Sequence, residues 1–195
     1  MMKRIFALLL AALLLLSGCG NSESVEETPP VTEDTIPVVV PIGERTEEGV
    51  KVTIHAGLLG MDTEFLSETQ KENGFIAAVR NEDRSITYTI STDAYDAYIQ
   101  KKYQDTCSSM ESTVKDSFGS VTNLSYEPDL SAVTLTVRRN DYEYSVDTLV
   151  VFAVGSMVIG YQAYDLEAPG KCVITVVDEE GKQISQNVYP DELVL

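Results

Sequence analysis

Across residues 51–195 the apolar positions form short alternating runs, one long stripe at helical spacing and one nearly continuous block. Period two marks a half-buried strand, and recurrence at three and four residues marks a helix. Val52 and Ile54 alternate with Thr53 and His55, which predicts a short first strand. Residues 61–73 predict a helix with Asp62 as cap and Gly74 as stop. Residues 75–80 and 85–91 predict a hairpin around Asn81-Glu82-Asp83-Arg84. In its second arm Ile86, Tyr88 and Ile90 face one way, and Thr87, Thr89 and Ser91 the other.

The clearest helix follows. Tyr95, Ile99, Tyr103, Cys107, Met110, Val114 and Phe118 are spaced 4, 4, 4, 3, 4 and 4, with Thr92 or Asp93 at the start and Gly119 at the end. Residues 121–126 and 132–138 predict a second hairpin around Glu127-Pro128-Asp129, where Val133, Leu135 and Val137 oppose Thr134, Thr136 and Arg138. Residues 145–164 are apolar nearly all round and predict a core helix packed on several sides, with a β-hairpin as the lesser alternative. A membrane span is disfavoured there, because the uncharged stretch of 17 residues carries Ser156, Gln162 and two glycines. Residues 172–177 and 183–189 predict a third hairpin around residues 178–182.

The order is therefore a strand, then helix-hairpin three times. Acids recur in the turns at Asp83, Asp129 and Glu179, but no repeat of residues accompanies them. Strands joined by tight turns are antiparallel, and alternation implies one buried and one wetter face. The expected fold class is α+β: a two-layer domain over residues 51–195, an antiparallel sheet with three helices on one face.

The chain before this domain reads differently. Lys3 and Arg4 precede an apolar run over residues 5–16, too short for a bilayer core but suited to a signal peptide. Leu16-Ser17-Gly18-Cys19 resembles the lipobox of bacterial lipoproteins. That resemblance implies a signal peptide over residues 1–18, a diacylglyceryl group on the Cys19 thiol and cleavage just before it. Two or three acyl chains would hold the protein stably on the outer side of the cell membrane without a spanning helix. Residues 19–50 then form an acidic, Pro-rich tether with Pro29, Pro30, Pro37 and Pro41, in which Val38-Val39-Val40 could pair with a sheet edge.

The domain itself resembles that of small uncharacterised lipoproteins of Gram-positive bacteria. The likeness rests on Glu72-Asn73-Gly74, the aromatic-rich long helix, Tyr161-Gln162-Ala163-Tyr164 and Val188-Tyr189-Pro190-Asp191. It implies fold and location, and it brings no catalytic motif or ligand set with it.

Charge and chemistry narrow the function. Fourteen Lys and Arg stand against 31 Asp and Glu, a net −17, which excludes nucleic-acid binding through a basic surface. His55 is the lone imidazole and reads as a surface residue; with no second His and no close Cys pair, no zinc site is expected. Cys107 and Cys172 remain once Cys19 is lipidated and form a candidate disulfide, since both point toward one core. The acidic turns lack the spaced oxygens of a calcium loop, and no Walker, G-x-S-x-G, G-x-G-x-x-G or H-E-x-x-H motif occurs. No cofactor is expected.

The candidate binding face is the hydroxyl-rich side of the expected sheet: Thr87, Thr89, Thr134, Thr136, Arg138 and Thr175. Ten tyrosines and no Trp give little support for sugar stacking, since Tyr95 and Tyr103 sit on the buried stripe. The expectation is a lipid-anchored, non-catalytic binding or accessory module for a protein or cell-wall ligand. Its alternative is a carboxylate-dependent envelope hydrolase, which needs two carboxyls about 5–9.5 Å apart.

Overall fold

A computed structural model of the chain describes residues 42–55 and 66–190. Thirteen elements follow one another. They are β1 (Ile42–Thr46), β2 (Gly49–Ile54), α1 (Glu68–Glu72), β3 (Phe75–Arg80), β4 (Ile86–Ile90), α2 (Thr92–Ser117), β5 (Val121–Tyr126) and β6 (Ala132–Val137). Then come α3 (Arg139–Glu143), a 3₁₀ turn (Val146–Leu149), α4 (Val150–Gln162), β7 (Cys172–Asp178) and β8 (Gln183–Tyr189). Among the described residues the strands make two sheets of four, in the orders β1-β2-β4-β3 and β5-β6-β7-β8.

The fold is thus mixed α+β, and the expectation of one antiparallel sheet is corrected to two sheets. The first is antiparallel throughout. The second contains a parallel pair, β6 and β7, with Thr134 opposite Thr175. Tight turns dictate direction only inside each hairpin. Between β6 and β7 the chain crosses over through α3 and α4, and a crossover of that length permits parallel pairing.

Strand pairing also begins earlier than residue 51. Ile42–Thr46, inside the stretch read as tether, pairs with Gly49–Ile54. Glu47-Glu48-Gly49 turns the chain, with Gly49 at φ +142°. A Cβ on Gly49 would meet the Ile90 carbonyl oxygen at 2.4 Å, so both conformation and space demand glycine. Asp62, Asp191 and Val38-Val39-Val40 lie outside the described residues. The described helix α1 has Ser67 as its N-cap, whose hydroxyl accepts from Gln70 N while the Gln70 side chain accepts from Ser67 N.

Each sheet buries one side of its alternation. Val50, Val52, Ile54, Ile86, Tyr88 and Ile90 form the first core with Phe75 and Tyr95. Val133, Leu135, Val137, Ile174 and Val176 form the second with α4. The long helix α2 joins them. At 1.5 Å per residue its 26 residues span roughly 39 Å. Ala94, Tyr95 and Tyr98 pack on the first core; Tyr103, Cys107, Met110 and Val114 pack on the second, and Ile99 touches both. The stripe read from the sequence is this seam.

The apolar block is helical as expected. Val150, Val151, Val154, Val158 and Ile159 are buried, whereas Phe152 remains 49% exposed. Among the described residues no helix is long and apolar enough to cross a membrane.

Candidate functional site

The residues singled out from the sequence do not gather in one place. Thr87 and Thr89 lie in the first sheet, and Thr134, Thr136 and Thr175 in the second. Thr89 is buried, and Thr87 Oγ1 shares a hydrogen bond with Thr53 Oγ1 and accepts from Asn81 Nδ2. On the second sheet Ser125, Thr134, Thr175 and Gln186 stand in one row, with Gln186 Nε2 donating to Thr175 Oγ1. Arg138 has left the sheet: it precedes α3 and donates to Asp141 and to the Gly119 carbonyl. One sheet would have aligned the six; two sheets divide them.

Cys107 and Cys172 do share the second core, and both are buried free thiols. Burial pushes the Cys172 thiol up to about 12, so it stays protonated at neutral pH and is no nucleophile. His55 is exposed at the end of β2, within electrostatic reach of Asp83.

Two of the three recurrent turn acids, Asp83 and Asp129, have local work, and in the third turn Asp178 rather than Glu179 does it. Asp83 accepts from Ser85 N, Asp129 from Ser131 N and Asp178 from Lys182 N, so each closes its own turn. Asp178 also binds Arg139 at 2.9 Å, tying α3 to the last hairpin. Among the described residues no group of three or more His, Cys, Asp or Glu is placed to hold a metal ion.

The feature with chemistry left over is a cleft of about 510 Å³ between α2 and α4, with Thr69 and Asn73 of the α1 end at its edge. Tyr98, Lys101, Lys102, Asp105, Thr106 and Ser109 line it from α2; Ser156, Gly160, Tyr161 and Tyr164 line it from α4 and the residues after it. Tyr98 and Lys102 are four residues apart and so share one flank of the helix, beside the buried stripe.

Aromatic packing fixes this wall. Tyr98 meets Phe75 edge to face at 4.9 Å, and Tyr164 meets Tyr98 at 5.9 Å and Phe75 at 6.5 Å. Tyr164 is placed from behind: the Tyr95 hydroxyl donates to its carbonyl and accepts from Leu166 N. Over its ring lies Lys102 Nζ, 4.4 Å from the centroid. The ring face attracts the ammonium. Burial pulls the Lys102 pKa down, opposed by the Asp105 carboxylate. Burial likewise raises both phenols, Tyr164 to about 12, so they remain neutral donors.

Sequence reasoning missed this site. Tyr164 was visible only as punctuation after a helix, and Tyr98 and Lys102 fall off the main apolar stripe. The available signal was that i, i+4 pair, a second aromatic position with a cation one turn on. What the cleft offers is one partly buried cation, two phenol groups, ring surface and several hydroxyls. Among its described lining residues no hydrogen bond pairs a hydroxyl with a lysine or carboxylate base. A scan against protein-family models, a search of curated proteins and a search of solved structures each found nothing that matches this chain.

Proposed function

We propose that this chain is a lipid-anchored extracytoplasmic protein whose folded domain is a non-catalytic module that binds a ligand in the cleft between α2 and α4. In this reading the helices form one layer against the sheets, and the cleft opens within that layer. The anchor is Cys19 in Leu16-Ser17-Gly18-Cys19, behind a charged start and an apolar run. The observation that carries the binding role is Lys102 over Tyr164, a half-buried cation in a concave site beside phenol groups. Clefts of this size with a few convergent polar groups are the usual form of a small-molecule site.

Both parts are testable. In cells fed labelled fatty acid, the parent chain should take up label and Cys19→Ala should remain an unlabelled, uncleaved precursor; normal labelling of that variant sinks the anchor. For binding, thermal unfolding is followed against panels of sugars, peptides and wall fragments. A ligand at about 100 times its dissociation constant contributes roughly 2.7 kcal/mol, several degrees for a domain of this size. A flat response to every panel, with no protein crosslinked to the chain on intact cells, would reject the module.

A further inference from the structure

We propose that the cleft is a seat for a small acidic sugar, a pyranose-sized ligand with one carboxylate, whose carboxylate is held by Lys102 and whose hydroxyls meet the wall that Tyr98 and Tyr164 form. The inference rests on the binding-module reading and gives it a ligand class.

The cation comes first. The chain has 31 acids for 14 bases, so a lysine has carboxylates in abundance. Arg45, Lys51, Lys71 and Arg138 each pair with one and Arg139 with two, at 2.7–3.3 Å. Lys102 is half-buried, yet among the described residues no carboxylate lies within ion-pairing distance of it. A partly desolvated ammonium keeps an unmet demand for an anion, and a carboxylate bound there gains a charge-assisted hydrogen bond.

The rest of the lining selects the ligand's body. Among the described residues the Tyr98 and Tyr164 hydroxyls hydrogen-bond no protein acceptor, so two donors sit at the cleft wall beside ring surface. Thr106 and Ser109 add hydroxyls from α2. A wall of phenols and aliphatic hydroxyls that can exchange hydrogen bonds suits the many hydroxyls of a sugar, and a fatty or aromatic acid would leave that capacity unused. Asp105 limits the charge. It accepts from a sugar hydroxyl but repels a phosphate bearing two charges, so one carboxylate fits where a phosphorylated ligand does not. The volume, about 510 Å³, admits one or two sugar rings.

Saturation-transfer NMR on the full chain in a sugar-free detergent tests this, with D-glucuronate and D-glucose as the probes and competition between them as a second readout. Glucuronate is expected to bind about tenfold more tightly than glucose, the worth of one charge-assisted contact. Lys102→Met should bring glucuronate down to the level of glucose and leave glucose unchanged; Lys102→Arg should keep most of the preference. Each variant is used only with its thermal midpoint confirmed.

Equal affinity for the two sugars, or undiminished glucuronate binding by folded Lys102→Met, overturns the acidic-sugar assignment. Absence of binding by either sugar overturns it too. The module reading survives these results if the ligand panels or crosslinking yield another ligand or partner, and falls with the sugar if they yield none.

Discussion

Two clefts flank α2, and each sets a cation over a tyrosine ring. On one flank Arg45, Tyr95, Asp96, Tyr161 and Asp165 line a space of about 340 Å³. The Arg45 guanidinium lies 5.0 Å from the Tyr95 ring centre and binds Asp96 at 3.3 Å. The Tyr95 hydroxyl bridges Tyr164 O and Leu166 N, and Tyr161 donates to Asp165. These groups answer one another. On the other flank Lys102 stands over Tyr164 with no carboxylate within ion-pairing distance among the described residues, Asp105 acting on it only from further off, and Tyr98 and Tyr164 line the cleft. A cation on a ring is therefore no mark of a ligand site. The mark is polar capacity left over after the protein has satisfied its own groups.

The largest expected effect lies on the satisfied side. Tyr95→Phe removes one hydroxyl but breaks two hydrogen bonds, stranding the Tyr164 carbonyl and the Leu166 N–H. A partly buried polar group left without its partner costs about 1–3 kcal/mol, a fall of roughly 2–10 °C in the thermal midpoint at this chain length. Calorimetry checks it. An unchanged midpoint would mean that the two flanks do not differ in this way.

Arg45→Met should cost much less. Its side chain is 48% exposed and that of Asp96 is 80% exposed. An exposed ion pair is worth about 0–1 kcal/mol, less in high salt, and an exposed cation–π contact about 0.5–1 kcal/mol. One guanidinium makes both contacts, so the two do not simply add; at about 1 kcal/mol the expected fall is no more than about 4 °C, and it should shrink when unfolding is repeated in molar salt. A larger loss, independent of salt, would mean that the methylene stem of Arg45 packs the hairpin to α2.

How much of this the sequence disclosed depends on the range of the signal. Alternation in Ile86, Tyr88 and Ile90, and the stripe from Tyr95 to Val114, are local patterns, and both recur in the folded cores. Partition of strands into sheets is not local. Nothing in Val133-Thr134-Leu135 states whether its neighbour is β7 or β4, because the alternation is the same in either case. The strand Ile42–Thr46 was obscured by composition: prolines and acids around it read as tether, and four of its five residues are exposed. The cleft was hidden for a related reason. Its parts come from residues 69–73, 98–109 and 156–164, and only their assembly distinguishes Lys102 from any surface lysine.

The smallest effect concerns Lys102 itself in the unliganded protein. Its pKa when folded lies below the ordinary 10.5 because of burial. Between those two values the folded chain binds fewer protons at this site than the unfolded chain, so the site's contribution to stability rises with pH through that window. Below the window the charged, half-buried ammonium weighs constantly against the fold. Lys102→Met removes both the cost and its titration. The variant should melt about 1–2 °C above the parent near neutral pH, with the gap closing as pH approaches 10.5. Of the groups facing Lys102, the Tyr98, Tyr161 and Tyr164 phenols are raised by burial, Tyr164 to about 12, and Asp105 is exposed. Paired melting curves across alkaline pH decide the matter. A variant that gains stability while losing glucuronate identifies a lysine kept for what it binds, whereas a variant that loses stability at every pH identifies one kept for the fold, as Arg45 is.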